Sequence, residues 1–140
     1  MHKRHKHDIL AILAVVALSI SLFLAVSHYL GYAVPCTITQ GCETVLNSKY
    51  ASLFGLPLSV WGVMFFSGIF VLSLLANHYK RARKILTYAL AFGSFGSASF
   101  LFLQFFVIKQ ICQYCAAVDI LTILLLLLDI NIEFGENTFQ

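Results

Sequence analysis

The chain has 140 residues, of which 60% are hydrophobic and only 11% are charged, and its formal net charge is +3. An ordinary soluble domain is about half apolar and about a quarter charged, so this composition excludes one. Two prolines and eight glycines are too few for a disordered or low-complexity chain. The length predicts a single domain that covers residues 1–140.

Four long apolar segments dominate the sequence. A helix of about 20 apolar residues crosses a hydrocarbon core of about 30 Å. Inside lipid, backbone amides must find partners within their own segment, so we expect each span to be helical. The predicted fold is an all-α membrane protein, a four-transmembrane-helix bundle with a cysteine-bearing outer loop between helices 1 and 2. The predicted spans cover residues 9–30, 57–76, 85–108 and 111–130.

The basic residues indicate how the bundle is oriented. Lys and Arg together number nine; Lys49 and Lys109 lie in the first and third connections, and the others lie at the amino terminus or within 77–84. Because short loops rich in Lys and Arg stay in the cytoplasm, both termini and the 77–84 connection are predicted to be inside. The 31–56 loop and the turn near 109–111 then face outward from the cell inner or plasma membrane. The basic 77–84 stretch is interpreted as a topology signal or a contact for anionic membrane lipid, not as a nucleic-acid site.

The four cysteines of the chain fall on one predicted face of the membrane. Cys36 and Cys42 lie in the outer loop, and Cys112 and Cys115 lie at the outer end of the fourth span. This is the face on which disulfides persist. The cysteines therefore form two predicted pairs, one in a loop and one at the start of a membrane helix.

Three interpretations of these cysteines are possible. Two structural disulfides are one, although a bond between Cys112 and Cys115 closes only a very short loop and yields little entropic stabilisation. A four-thiolate zinc site is another, although such sites usually combine two Cys-x-x-Cys knuckles and the first pair here is the wider CTITQGC. The third is redox chemistry, and it accounts for more of the pattern. The unpaired amides and dipole of a helix amino terminus favour a thiolate.

A redox interpretation also explains why a thiol pair opens a membrane span. The loop pair lies on the Gly-containing segment YAVPCTITQGCETVL, which can reach a soluble partner and the membrane pair in turn. Each transfer is the attack of a thiolate on a disulfide. A pair at the lipid boundary can then pass its electrons to a lipid-soluble quinone. The predicted function is an oxidoreductase that acts on thiols with a quinone as acceptor and needs no metal.

At these residues the chain resembles the vitamin K epoxide reductase family in its short prokaryotic form. The resemblance rests on the loop pair, on CETVLNSKYASLFGLPLSVWG leading into the second span, and on ICQYC opening the fourth. In that family a serine and a Phe-Gly-x-Pro entry to the second helix follow the loop cysteine, and Ser48, Phe54, Gly55 and Pro57 match. The other bacterial family of quinone-linked disulfide oxidases carries its two cysteine pairs in the reverse order.

The resemblance implies a role for each cysteine. Cys115 is expected to react with the quinone, Cys112 to exchange with Cys42, and Cys36 to face a thioredoxin-like (DsbA-like) partner on the outer side. Ser48 matches the family's serine near the quinone end. The acceptor implied is a ubiquinone, a menaquinone or a quinone of the vitamin K type, and the product is disulfide bonds in exported proteins.

The resemblance leaves two further points as expectations. Some relatives carry a fused thioredoxin-like domain, whereas this sequence ends at Gln140, so its partner is expected to be a separate protein. Vertebrate members carry a longer segment before the second helix, and its absence disfavours vitamin K epoxide as the natural substrate. Thiol-driven reduction of that epoxide or of a naphthoquinone is the alternative within the family. A non-catalytic bundle stapled by disulfides is the alternative outside it.

Three side chains other than the cysteines are candidates for the quinone pocket, beside Ser48. Asp119 lies one helical turn beyond Cys115 on the same predicted face. An acid within a span is costly and marks a functional site by default, so Asp119 is expected to handle protons or bind a quinone oxygen. The alternative is a protonated or hydrogen-bonded residue that serves packing alone. Tyr114 could stack on a quinone or lie at the membrane interface, and Phe54 belongs to the entry motif. Gly93, Gly96, Ser97 and Ser99 predict a small-residue face for helix packing.

Overall fold

The structure is a computed structural model that describes residues 2–32, 49 and 52–138, with side chains described at 7–32, 49 and 52–132. A long helix is followed by a short hairpin and three further helical stretches. The elements are α1 (His2–Leu30), β1 (Ser52–Leu53), β2 (Leu56–Pro57), α2 (Leu58–Leu75), α3 (Lys80–Phe102), a π-helical segment (Leu103–Ile108) and α4 (Gln113–Thr138).

Four helical stretches are long and apolar enough to cross a membrane. They are His7–Leu30, Leu58–Leu75, Lys80–Ile108 and Gln113–Ile132. These stretches agree with the predicted spans to within a few residues, except that the third begins five residues earlier. The predicted fold class, an all-α membrane bundle, is therefore confirmed. The cysteine-bearing loop, with Cys36 and Cys42, lies outside the described residues.

The helices pack around one apolar core. Helix α1 packs against α2 and α4, and α3 packs against α4 and α2. Small residues of α1, Ala14 and Ala17, are fully buried and let the neighbouring helices approach closely. Large side chains fill the remaining space, namely Leu10, Phe66, Ile69, Leu86, Leu90 and Leu125. Many other large apolar side chains point outward, as they do when lipid is the surrounding solvent.

The hairpin before α2 forms a tight two-residue turn. Its strands pair Ser52 with Pro57 and Leu53 with Leu56. The residues between them, Phe54 and Gly55, have φ angles of 54° and 82°. Positive φ at both central positions is the requirement of a type I′ hairpin turn, and Gly55 meets it without strain.

Helix α2 holds the hairpin through a tryptophan. The indole Nε1–H of Trp61 donates a hydrogen bond of 3.0 Å to the carbonyl of Leu53. The Phe-Gly-x-Pro motif therefore builds a turn that sets where α2 begins.

Asp129 lies at the end of the bundle opposite the thiol pair. Its place near the cytoplasmic end of the fourth predicted span predicts an interfacial position for this residue, and that stays a prediction. The Asp129 side chain is only 1% exposed, and it accepts a hydrogen bond of 2.5 Å from Thr87 on α3. Its burial depends on this partner across the α3–α4 contact, which a single segment of sequence does not reveal.

Candidate functional site

Cys112 occupies the N-cap position of α4. Its carbonyl accepts the first intrahelical hydrogen bond, from the amide of Ala116 at 2.9 Å. Its sulfur accepts a hydrogen bond from the amide of Cys115 at 3.3 Å. This is the pattern by which Ser or Asp caps a helix, with a thiol sulfur in place of the oxygen. The Cys-x-x-Cys spacing is what brings the third amide of the helix onto the first sulfur.

The N-cap position makes Cys112 acidic for a thiol. The residue lies immediately before the fourth span, and its surroundings lower its pKa to about 7. The largest cause is the hydrogen bond from the Cys115 side chain, which favours the Cys112 thiolate; the backbone amides of Cys115 and Tyr114 act in the same direction. Desolvation of the buried sulfur opposes them. At neutral pH a sizeable share of Cys112 is thus thiolate, the reactive form in disulfide exchange.

The Cys112 and Cys115 thiols differ in their accessibility. Both are free thiols. The Cys112 side chain is 0% exposed, covered by apolar neighbours that include Phe100, Leu58 and Leu103. Cys115 is only partly buried, and it lines a cavity inside the bundle. The second cysteine of the pair is therefore the one that a molecule in the cavity would meet.

The cavity has a volume of about 520 Å³ and is bordered by all four helices. Its size falls within the range of small-molecule sites, about 300 to 1,000 Å³. Five aromatic side chains line it: Tyr32, Trp61, Phe65, Phe66 and Phe100. Such a surface suits a flat, apolar ring.

A polar group stands one helical turn beyond the thiol. Asp119 lines the cavity beside Cys115, yet its side chain is only 8% exposed. The Ser97 hydroxyl of α3 interacts with its carboxyl group, and Ser97 also lines the cavity. The aromatic wall together with this polar end matches a quinone, which is a flat ring that carries carbonyl oxygens.

Gln104 was not predicted from the sequence, although it contacts both Cys112 and Asp119. It is 0% exposed and belongs to the π-helical segment between α3 and α4. Its Oε1 accepts a hydrogen bond of 3.0 Å from the amide of Cys112, and its Nε2 donates a longer one of 3.5 Å to Oδ2 of Asp119. A lone amide in the apolar run LFLQFFVI was the signal that could have identified it, because polar groups within spans are rarely idle.

The remaining predicted pocket residues are placed less centrally. Tyr114 does not line the cavity; its ring packs on Phe23 with 5.7 Å between centroids. Phe54 is 88% exposed. Its ring and that of the cavity residue Trp61 form an edge-to-face contact with 6.3 Å between ring centroids. Ser48, like Cys36 and Cys42, lies outside the described residues, so its predicted role stays a prediction.

The small residues of α3 serve the cavity as well as packing. Gly93, Gly96 and Ser97 all line it. A Cβ atom on Gly93 would clash with Cζ of Phe65. Gly93 therefore allows the Phe65 ring to lie against α3, whereas Ser99 is exposed and donates a hydrogen bond to Phe95 of its own helix.

Fold and site together define a class: a helical membrane protein with a thiol pair, of which the second thiol borders an aromatic cavity inside the bundle. The chain matches the vitamin K epoxide reductase family over residues 9–130, and it belongs to that family. The match runs from the first span to the fourth and confirms the resemblance seen in the sequence motifs. In general terms, the protein is therefore a thiol-dependent, quinone-related oxidoreductase of the membrane.

Proposed function

We propose that this protein is a quinone-dependent thiol oxidoreductase that generates disulfide bonds. Electrons would pass from a separate thioredoxin-like partner to Cys36–Cys42, then to Cys112–Cys115, and finally to a membrane quinone. The observation that carries the proposal is the placement of Cys115, whose thiol borders an aromatic cavity with a buried carboxyl group one turn away.

The relay balances at each step. Two partner thiols reduce the Cys36–Cys42 disulfide through a mixed disulfide, so that one S–S bond breaks as another forms. The loop thiols then reduce the Cys112–Cys115 disulfide in the same way. In the last step Cys112 and Cys115 lose two electrons and two protons and form their disulfide again. A bound quinone supplies the acceptor for those electrons and protons.

The geometry of the membrane pair supports different roles for Cys112 and Cys115. Cys112 has the lowered pKa of a nucleophilic thiol, and Cys115 borders the cavity. Exchange with Cys42 requires Cys112 to become accessible, because apolar neighbours now cover its side chain. We therefore expect the start of α4, or the residues packed on it, to move when the loop disulfide arrives.

Asp119 is proposed to supply or hold the proton at the cavity. Its carboxyl group lies one turn from Cys115 and interacts with the Ser97 hydroxyl, which also borders the cavity. A carboxyl group buried beside an apolar wall can keep a proton until a developing negative charge takes it. The proposed orientation, with the thiol pair outward and both termini cytoplasmic, follows from the basic residues of the loops.

Quinone reduction by the purified protein tests the proposal. The protein, in nanodiscs with a reduced thioredoxin-like partner, is expected to reduce a menaquinone or ubiquinone analogue, followed by absorbance. Replacing each cysteine in turn should stop turnover, and Cys115→Ala should also stop it when dithiothreitol replaces the partner. Full activity of Cys115→Ala would contradict the assignment.

The same preparation separates the alternatives. Formation of vitamin K from its epoxide with a dithiol, without quinone reduction, would favour the epoxide activity. Thiol labelling in cells tests the non-catalytic alternative. If all four cysteines stay in fixed disulfides, the protein is not a thiol relay. A relay should instead yield a mixed disulfide of Cys42 with Cys112 that can be trapped when Cys36 and Cys115 are replaced.

A further inference from the structure

Gln104 joins the thiol pair to the buried carboxyl group. Its side-chain amide touches the backbone of Cys112 with one end and the side chain of Asp119 with the other. These two residues are seven positions apart on α4, whereas Gln104 comes from the segment before it. One buried amide thus bridges the start of the helix to a point about two turns further along.

The hydrogen-bond chemistry fixes which way the amide faces. The Cys112 amide is a donor, so the carbonyl oxygen of Gln104 must face it. The NH₂ group is then left to face Asp119, where a carboxyl oxygen can accept. The reversed amide would place two donors together at Cys112 inside a fully buried site, which is costly.

The backbone before α4 supports this placement. Gln104 is the buried residue of a π-helical segment, and π turns recur at functional sites. The connection then turns at Lys109, whose φ of 59° is unusual for a residue other than glycine. Both irregularities lie within the ten residues from Leu103 to Cys112.

We propose that Gln104 is a positioning residue that reserves Oδ2 of Asp119 and leaves Oδ1 to carry the proton delivered at the cavity, while it also holds the start of α4 in place. The inference rests on the proposed function. Nε2 of Gln104 lies 3.5 Å from Oδ2, so turning the carboxyl group to bring a protonated Oδ1 there would set two donors against each other. The thiol pair and the proton donor are thereby held at a fixed separation on one helix.

Three variants separate the two ends of the bridge. Gln104→Leu removes both hydrogen bonds in a side chain of similar size. Gln104→Glu keeps an oxygen for the Cys112 amide but has no N–H₂ group to donate to Asp119. Gln110→Leu makes the same change at an exposed glutamine of the same connection and serves as the matched control.

Steady-state kinetics test the contact between Gln104 and Asp119. Gln104→Leu and Gln104→Glu are expected to lower kcat for quinone reduction roughly tenfold, with KM within about twofold, because the loss falls on proton transfer and not on binding. Gln110→Leu should behave as wild type. In an Asp119→Asn background, Gln104→Leu should have little further effect, because its path through the carboxyl group is already gone.

Two measurements need no quinone. In infrared difference spectra, the Asp119 carboxyl band should shift in both Gln104 variants and not in Gln110→Leu. Its loss in Asp119→Asn assigns the band. Alkylation of Cys112, read by mass spectrometry, should speed up in Gln104→Leu and remain slow in Gln104→Glu, which still holds the amide.

The outcomes distinguish this inference from the proposed function. If wild-type protein reduces no quinone, the proposed function fails, and the infrared and alkylation results still judge the bridge. If Gln104→Leu lowers kcat by the same factor with and without Asp119, Gln104 does not act through that carboxyl group. Unchanged infrared and alkylation results in Gln104→Leu would overturn the bridge itself.

Discussion

Two buried aspartates of α4 lie ten residues apart and have opposite surroundings. Asp129 is packed into the α3–α4 contact and is held by the Thr87 hydroxyl. Asp119 borders the cavity, with Cys115 one turn before it. Both are almost fully buried, so burial alone does not mark a functional acid. What distinguishes Asp119 is open volume and a thiol beside it.

The two ends of the bundle differ in the same way. Near Asp129 the core closes on Leu10, Leu86 and Leu125, which are fully buried. Near Asp119 small residues of α3 and rings of α2 leave a cavity instead. Among the described residues, the two ends of the bundle therefore differ in packing, and the site lies at the more open one.

Replacing each aspartate separately is the sharpest test of the contrast between a catalytic and a structural buried acid. Asp119→Asn is expected to lower kcat for quinone reduction about 100-fold, within the range of general acid–base catalysis. Asp129→Ala should instead lower the free energy of unfolding by about 1 to 3 kcal/mol, because the Thr87 hydroxyl loses a buried partner. Steady-state kinetics and chemical denaturation in detergent measure the two effects. A catalytic loss in folded Asp129→Ala equal to that of Asp119→Asn would remove the distinction.

The acidity of Cys112 gives the next largest effect. Below its pKa the thiol is protonated and unreactive, so its alkylation rate should rise with pH and level off above a midpoint of about 7. In Cys115→Ala the largest cause of the lowered pKa is lost. The midpoint should then move up toward the ordinary thiol value of about 8.5. Timed iodoacetamide labelling followed by mass spectrometry reports it, and an unchanged midpoint in Cys115→Ala would exclude this cause.

The open end of the bundle can be narrowed at Gly93. A methyl group there meets the tip of Phe65, so Gly93→Ala should push that ring within the cavity and raise KM for the quinone severalfold. Overpacking of this kind also costs about 1 to 3 kcal/mol of stability. Gly68→Ala is the matched control on α2, since a Cβ there meets nothing within 4 Å. Equal KM values for the two variants would show that Phe65 does not shape the binding space.

The smallest expected effect concerns the hairpin. Trp61→Phe removes the indole hydrogen bond to Leu53 and should lower the free energy of unfolding by about 1 kcal/mol. The turn that places α2 would then be held less firmly. Denaturation with wild type as reference checks this, and a Trp61→Phe variant as stable as wild type would show that the bond contributes nothing.

Much of the fold could be predicted from the sequence because lipid imposes a simple rule. Long apolar runs must become helices, so the four spans follow from composition alone. Cys115 and Asp119 could also be placed together, since four residues make one helical turn. Both indeed border the cavity.

Other parts of the site depend on contacts between distant segments. Gln104 reaches Cys112 and Asp119 only through the π-helical segment and the turn at Lys109. Local periodicity contains no sign of either irregularity. The burial of Asp129 has the same origin, because its partner Thr87 lies on another helix.

The central claim is that the Cys112–Cys115 pair delivers its electrons to a quinone in the cavity. The most direct measurement is a single turnover of a Cys36→Ser, Cys42→Ser protein in nanodiscs, reduced beforehand and mixed with one equivalent of a quinone analogue. We expect about one quinone reduced per protein, with a Cys112–Cys115 disulfide found by mass spectrometry and no reduction after Cys115→Ala. Quinone reduction without that disulfide, or no reduction by the intact pair, would contradict it.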